Sequence, residues 1–229
     1  MPLAFVQGKL LHFAHVPRCA GTAVENYLHA RFGRLAFLDR QFNALSPAER
    51  WSQTSPQHVE SAAFDRIIPR PWIAHRFAVV RHPQARILSV FRFQRDIERR
   101  IPPRLGFVDW ITRIAASLAE RPFQFDNHAR PATDLVPTDA VVFRLEDGLT
   151  PVIDWLDQIE GAKRGPRDIA PANVLEKVRD HLGRKALPEP QICEESQEAI
   201  ARIYAADFER FGYLPAAPGA TAPIPEDRL

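Results

Sequence analysis

Apolar residues gather in short runs that alternate with helix-like segments along most of the chain. The runs near residues 10–16, 77–81 and 140–145 have the length and apolar content of buried strands. Apolar residues recur at helical spacing near residues 22–33, 83–100, 107–120, 150–159 and 194–210. The alternation predicts an α/β fold with a parallel sheet. Ligands of such sheets bind outside the carboxyl ends of the strands, so functional residues are expected in the segments that follow the strands.

The segment after the first predicted strand, HVPRCAGTAVENYL at residues 15–28, has the order of an anion-binding turn. A tight turn that leads into a helix exposes consecutive backbone N–H groups, and the positive end of the helix dipole adds to their effect. Arg18 and Thr22 supply side-chain donors. The pattern favours a phosphate or sulfate site over the alternatives, in which Gly21 serves only a tight turn and Arg18 is a surface residue.

Two better-known phosphate loops do not fit this segment. A Walker A loop requires Lys-Ser or Lys-Thr after its last glycine, whereas here the basic residue precedes Gly21. The cysteine-phosphatase loop requires an arginine six positions after the cysteine, and Glu25 stands six positions after Cys19. Nucleotide hydrolysis and a nucleophilic role for Cys19 are therefore disfavoured, although a helix N-terminus can lower the pKa of a cysteine.

A second basic motif follows the second predicted strand, in FAVVRHPQARILSVFR at residues 77–92. Arg81 ends the strand, Pro83 suits the first helical position, and Arg86 and Ser89 lie three apart on one side of the helix. A guanidinium fork and a hydroxyl can hold a second phosphate. For Arg86 a structural ion pair is as good an interpretation as a ligand contact. Two phosphate sites at neighbouring strand ends indicate a bisphosphorylated nucleotide.

Together these motifs resemble those of sulfotransferases that use 3′-phosphoadenosine 5′-phosphosulfate (PAPS), most closely the carbohydrate sulfotransferases and their bacterial relatives. The sequence P-R-C-A-G-T-A at 17–23 is similar to the 5′-phosphosulfate loop, and R-H-P-x-x-R-x-x-S at 81–89 to the 3′-phosphate motif. Further matching pieces are Gln57-His58, Asp126-Asn127-His128 with Arg130-Pro131, Phe143-Arg144-Leu145-Glu146, Tyr204, Asp207-Phe208 and Phe211-Gly212-Tyr213. Each motif alone is weak evidence, but their order and spacing across residues 10–213 are specific.

The resemblance implies a fold, a donor and a set of site residues. The fold is a three-layer, P-loop NTPase-like parallel sheet flanked by helices. The donor co-substrate is PAPS, and the acceptor is a small molecule or glycan that offers a hydroxyl or, less expectedly, an amine. The donor-binding residues implied are Arg18, Cys19, Ala20, Gly21, Thr22, Ala23, Arg81 and Ser89. Arg18 would also stabilise the leaving phosphate. The chain lacks HExxH, a CxxC pair and a carboxylate cluster at ligand spacing, which predicts a metal-free site.

A histidine is the expected general base, because the ordinary pKa of imidazole is near neutrality. His58 matches the position at which related carbohydrate sulfotransferases carry a catalytic histidine. His15, His75 and His128 remain rivals. His128 and Arg130 are also candidates for the acceptor pocket, with a polar loop turn as the alternative interpretation.

The loop departs from the family pattern at three positions. Arg18 stands where lysine is usual, Cys19 where serine, threonine or glycine is usual, and Ala23 where a hydroxyl residue is usual. Arginine keeps the charge with a different geometry, and alanine removes one potential ligand of the phosphosulfate. A reduced donor affinity is expected.

Composition limits the remaining choices. The 229 residues suffice for one sizeable core, predicted to span residues 1–213, while the Pro- and Ala-rich residues 214–229 are predicted to form a flexible tail. A formal net charge of +2 argues against a general nucleic-acid binder. No apolar run is long enough for a membrane span, no signal-peptide pattern begins the sequence, and the only cysteines are Cys19 and Cys193. These features favour a cytoplasmic enzyme.

Two other functions are compatible with the sequence. A P-loop-like small-molecule kinase would require magnesium and ATP, and the absent Lys-Ser/Thr pair counts against it. A non-catalytic nucleotide-binding module would bind the donor without turnover, and the altered residues at positions 18, 19 and 23 make it plausible.

Overall fold

A computed structural model of the protein describes residues 1–215. Of the predicted tail at 214–229, residues 216–229 lie outside the described part of the chain. The described residues divide into two compact units. The first comprises Met1–Val80 and Ala132–Ala172, and the second begins with Arg81–Pro131 and continues from Asn173. The predicted division into one domain at 1–213 and a tail stays a prediction.

The first unit contains a four-stranded sheet of order β1-β2-β3-β4. Its strands are β1 (Leu3–Val6), β2 (Lys9–Ala14), β3 (Ile73–Val80) and β4 (Val141–Arg144). β2 pairs with β3 and β3 with β4 in parallel, with Phe13 opposite Phe77 and Val79 opposite Phe143. The three predicted strands are thus present, and the α/β class is confirmed. The first of them ends at Ala14, so His15 and Val16 belong to the following loop.

The sheet is mixed, which corrects the expectation of a parallel sheet. β1 pairs with β2 in antiparallel register, with Leu3 opposite His12 and Val6 opposite Lys9. The connection consists of Gln7 and Gly8, whose φ angles are 51° and 77°. Two consecutive residues at positive φ form the type of tight turn whose twist matches that of a β-hairpin.

The helices of the first unit are α1, α2, α5 and α6. They span Gly21–Phe32, Ser61–Ile67, Ala132–Leu135 and Thr150–Glu160. The core of this unit lies on the sheet, where Phe13 stacks on Phe77 at a ring-centroid distance of 4.9 Å. Trp155 of α6 packs against Phe77 and Phe143. The buried guanidinium of Arg31 ties α1 to α6 through Asp157 at 2.7 Å and through Glu160.

The second unit is helical. It contains α3 (Pro83–Arg92), α4 (Phe107–Ser117), α7 (Leu175–His181), α8 (Glu194–Ile203) and α9 (Ala205–Phe211). Its core joins apolar side chains of α3, α4, α8 and α9, among them Phe91, Trp110, Ile200 and Phe208. The helix predicted at 83–100 changes at Phe93 into a π-helical turn, Phe93–Ile97, and the helix predicted at 194–210 is interrupted at Tyr204.

Ser46 followed by Glu49 three residues later is the sequence pattern of a capping box. The box is present, since the backbone N–H of Ser46 donates to Glu49 at 2.9 Å and Pro47–Glu49 forms a short helical turn. Within residues 1–215, none of the helices has both the length and the apolar character needed to cross a bilayer.

Candidate active site

The β2–α1 loop, residues 15–20, has a backbone shape suited to an anion. Arg18 and Ala20 adopt left-handed conformations, with φ angles of 66° and 59°. α1 begins at Gly21, and its first intrahelical hydrogen bond runs from the N–H of Val24 to the carbonyl of Ala20 at 3.1 Å. The amides ahead of that bond belong to the helix N-terminus, where phosphate and sulfate groups commonly bind. Left-handed residues among right-handed ones also bend consecutive N–H groups into a concave surface.

The predicted loop residues differ in how their side chains are placed. Arg18, Ala20 and Thr22 are partly exposed, whereas Cys19 and Ala23 are buried. The Cys19 Sγ lies 3.8 Å from the carbonyl of Pro17, and both described cysteines are free thiols. A buried Cys19 can contribute its backbone N–H to a ligand, while its thiol faces the interior.

Gly21 lies so close to the ring of His15 that no side chain fits at this position. A Cβ built at this position would lie 1.9 Å from Nε2 of His15, far inside van der Waals contact. The glycine of the sequence motif therefore has a specific local cause. Any side chain here would displace His15 from beneath the start of α1.

His15 forms a buried pair with Glu25. Nδ1 of His15 lies 2.6 Å from Oε1 of Glu25, and the two side chains are 8% and 4% exposed. Burial lowers the pKa of His15 below 6.5, despite the opposite effect of the neighbouring carboxylate. Burial acts to raise the pKa of Glu25, but the interaction with His15 outweighs it and holds that pKa below 4.5. Near pH 7 the pair thus consists of an ionised carboxylate and a neutral imidazole.

His58, the predicted base, lies beside this pair. It ends the short helical turn Pro56–His58 and is buried. Its ring packs edge-to-face against the ring of His15, with centroids 4.6 Å apart and an interplanar angle of 87°. Nδ1 of His58 lies 3.0 Å from the Ser55 hydroxyl. Two of the four candidate histidines are therefore in contact next to the β2–α1 loop.

His75 lies elsewhere in the first unit. It is in the amino-terminal half of β3, where it pairs with Leu11, and its ring packs edge-on against Trp155 at 6.2 Å. The β2–α1 loop, by contrast, follows the carboxyl end of β2. This position disfavours His75 as the base.

In the second unit, the predicted phosphate motif has one buried and two accessible members. Arg81 and Ser89 are partly exposed, and Pro83 begins α3 as expected. Arg86 is fully buried. Its guanidinium donates to the carbonyl of His128 at 3.1 Å and to that of Arg130 at 2.8 Å, and lies 3.7 Å from Asp207. Of the two interpretations of Arg86, the structural one is correct.

The segment that Arg86 supports has a rare backbone. Phe125, Asp126 and Asn127 are consecutive left-handed residues, with φ angles of 53°, 57° and 62°. Left-handed residues normally occur singly, and their clustering in a folded protein is typical of functional segments. His128 follows, buried, with Nδ1 bonded to the carbonyl of Phe125 and its ring stacked parallel to Phe93. Arg130 lies over the ring of Phe123 at 5.8 Å.

Sequence reasoning missed the pairing of His15 with Glu25 and the left-handed turn at 125–127. A single-sequence pattern gives little sign of a contact that joins a loop to the second turn of the next helix. The Asp126-Asn127 pair was the available signal for the turn, because these residue types tolerate positive φ better than most.

An α/β sheet with a strand, a left-handed loop and a helix in this order is typical of proteins that bind phosphate or sulfate groups. The family model described as "Sulfotransferase family" matches residues 5–214. Because this match covers most of the 229 residues, the chain belongs to the sulfotransferase family. Comparisons with curated proteins and with solved structures give no significant match. Membership implies a transferase of sulfuryl groups and confirms the resemblance at the level of the family.

Proposed function

We propose that this protein transfers the sulfuryl group of PAPS to a hydroxyl of a carbohydrate or glycoconjugate, without a metal ion. The observation that carries the proposal is the β2–α1 loop, where left-handed Arg18 and Ala20 precede the N-terminus of α1 and a buried histidine pair adjoins it. The family match supports sulfuryl transfer, and the sequence motifs support the donor and the acceptor class. The proposed fold is the P-loop NTPase-like variety of the α/β class.

In the proposed reaction the acceptor oxygen attacks the sulfur of PAPS, and the bond from sulfur to the bridging phosphate oxygen breaks in line with it. The products are a sulfate ester and 3′-phosphoadenosine 5′-phosphate (PAP). Negative charge develops on the bridging oxygen as it leaves. Arg18 and the backbone N–H groups of Gly21, Thr22 and Ala23 would stabilise that charge, as fixed dipoles do most effectively.

Other residues are proposed to bind the donor nucleotide and to accept the proton of the acceptor hydroxyl. Arg81 and Ser89 would bind the 3′-phosphate and so set the register of the nucleotide. His58 would accept the proton of the acceptor hydroxyl as the new S–O bond forms. His128 and Arg130 are proposed acceptor contacts, and their backbone carbonyls accept hydrogen bonds from Arg86.

The test is turnover by the purified full chain, with PAPS and a panel of monosaccharide and oligosaccharide acceptors. PAP release and sulfated product would be measured by mass spectrometry, with and without a chelator. The proposal predicts acceptor-dependent formation of both, unchanged by the chelator and reduced about 100-fold or more by Arg18→Ala or His58→Asn. Phosphoryl transfer from magnesium-ATP would instead establish the kinase. PAP binding with no product from any acceptor would favour the non-catalytic module.

A further inference from the structure

Three side chains from three different segments form a continuous chain beside the β2–α1 loop. Glu25 lies on α1, His15 in the loop, and His58 in the turn Pro56–His58. Glu25 and His15 are joined by the 2.6 Å contact, and His15 and His58 by the perpendicular ring packing. All three residues are buried: counted over the whole residue rather than the side chain, Glu25, His15 and His58 are 3%, 6% and 7% exposed.

The contact with Glu25 determines which ring nitrogen of His15 carries the proton. An ionised carboxylate only accepts hydrogen bonds, so Nδ1 of a neutral His15 must carry the proton that it shares with Glu25. Nε2 then holds the lone pair, and this atom faces Gly21 at the start of α1. The ring is therefore fixed at one edge by a hydrogen bond and at the other by backbone.

The charge of the Glu25–His15 pair affects the neighbouring His58. A neutral imidazole and a carboxylate together carry one negative charge in a region with little solvent. The N-terminal ammonium of Met1, which donates to the carbonyl of Pro56, also acts on both side chains. A base that accepts a proton in a buried site becomes a cation. This cation needs a negative charge nearby, such as that of the Glu25–His15 pair, because solvent cannot supply one.

We infer that Glu25 and His15 are positioning residues for His58: Glu25 orients the His15 ring, His15 orients the His58 ring, and the Glu25 carboxylate stabilises His58 once it holds the acceptor proton. This inference rests on the proposed function, in which His58 is the base. It follows the general logic of a base that is oriented by a second group and balanced by a buried carboxylate. His15 itself transfers no proton, because its Nε2 is covered by Gly21.

The decisive variant is Glu25→Gln, which keeps the shape and one acceptor oxygen but removes the charge. We expect kcat to fall about 10- to 100-fold, with the KM for PAPS and the Kd for PAP within about threefold of wild type. Glu25→Asp keeps the charge and should restore part of kcat. Glu120→Gln, which removes a carboxylate from an exposed position, serves as the matched control and should change none of these values.

A second measurement does not depend on turnover. Nitrogen-15 NMR of the histidine side chains should show His15 protonated at Nδ1 in the wild type. A kcat for Glu25→Gln within twofold of wild type, or a loss of PAP binding that matches the loss of rate, would overturn the inference. If the wild type neither binds PAP nor transfers sulfate, the proposed function fails, whereas an Nε2-protonated His15 contradicts the positioning pair alone.

Discussion

Arg86 and Tyr204 together hold three consecutive carbonyl groups of one segment. Arg86 donates to the carbonyls of His128 and Arg130, and the Tyr204 hydroxyl donates to the carbonyl between them, that of Ala129, at 2.7 Å. The Arg86 guanidinium also lies 5.1 Å from the centre of the Tyr204 ring. Both side chains are fully buried. Burial raises the pKa of Tyr204, so its hydroxyl remains protonated and able to donate.

Replacing Arg86 should therefore destabilise the protein strongly. Arg86→Met removes one partner from each of three groups. These are the carbonyls of His128 and Arg130 and the buried carboxylate of Asp207. We expect the free energy of unfolding to fall by about 3–5 kcal/mol, as is usual when one member of a buried charge pair is removed. Chemical denaturation would measure the change. Arg104→Met, at an exposed position, should change stability by less than about 0.5 kcal/mol, and a similar small effect at position 86 would contradict this account.

The contact of Gly21 with His15 predicts a coupled pair of substitutions. Gly21→Ala places a methyl group where the His15 ring lies, and should cost about 1–3 kcal/mol of stability through overpacking. In a His15→Ala background the ring is absent, so the same substitution should cost much less. Denaturation of the two single variants and the double variant gives the coupling energy. Additive effects would show that Gly21 is needed for a reason other than this ring.

The buried histidines predict a loss of stability in mild acid. His12 is fully buried and stacked on Phe64, and burial, with the N-terminal ammonium and Arg76, places its pKa well below 6.5. Below about pH 6.5 the unfolded chain binds a proton at His12 that the folded chain does not, so stability is complete above that value and falls as the pH is lowered.

The expected slope is about 1.4 kcal/mol per pH unit for each such histidine between its folded and unfolded pKa values. His15 contributes in the same direction, and Glu25 only at pH values below its unfolded pKa near 4.5. Denaturation at pH 7.5 and pH 5 should show a smaller acid loss in His12→Leu than in wild type. His29→Gln, at an exposed position of α1, is the control and should retain the full loss. An unchanged loss in His12→Leu would refute the assignment.

The departures of the loop from the family pattern can be reversed. Ala23 lies in the first turn of α1, where a hydroxyl could reach an anion bound at the helix N-terminus. Ala23→Ser should tighten PAP binding by up to about tenfold, the equivalent of one net hydrogen bond of 1.4 kcal/mol. Ala30→Ser makes the same change in the last turns of this helix and should leave the affinity unchanged. Unchanged or weaker PAP binding by Ala23→Ser would contradict this prediction.

The sequence predicted well what depends on local pattern. The parallel strands β2, β3 and β4, the helix after the first loop and the capping box at Ser46 all follow from apolar spacing and from residues that start or stop helices. β1 was missed because only four residues form it and its turn, Gln7-Gly8, is not one of the strongest hairpin signals. The π-helical turn after α3 was missed because a helix that continues with one wider turn has the same apolar spacing as a regular one.

In the candidate site, too, local features were predicted from the sequence and contacts between distant residues were not. The turn after β2 and the helix that follows it were predicted from their residue types. The partner of His15 was not predicted, because Glu25 has the pattern of an ordinary polar residue in an amphipathic helix. Likewise, helical spacing places Arg86 and Ser89 on one side of α3, and only packing decides that Arg86 is buried while Ser89 remains partly exposed. Such outcomes depend on contacts distant in sequence, which no local pattern encodes.

The most direct test of the proposed function is calorimetric titration of the metal-free protein with PAP. ATP and 5′-AMP are titrated for comparison, and Arg81→Ala is the variant. The account predicts that PAP binds, that ATP and 5′-AMP bind at least about tenfold more weakly, and that Arg81→Ala loses most of the affinity for PAP. No binding of PAP, or a preference for magnesium-ATP, would contradict the account and make a kinase or another phosphate-binding function the better explanation of the loop.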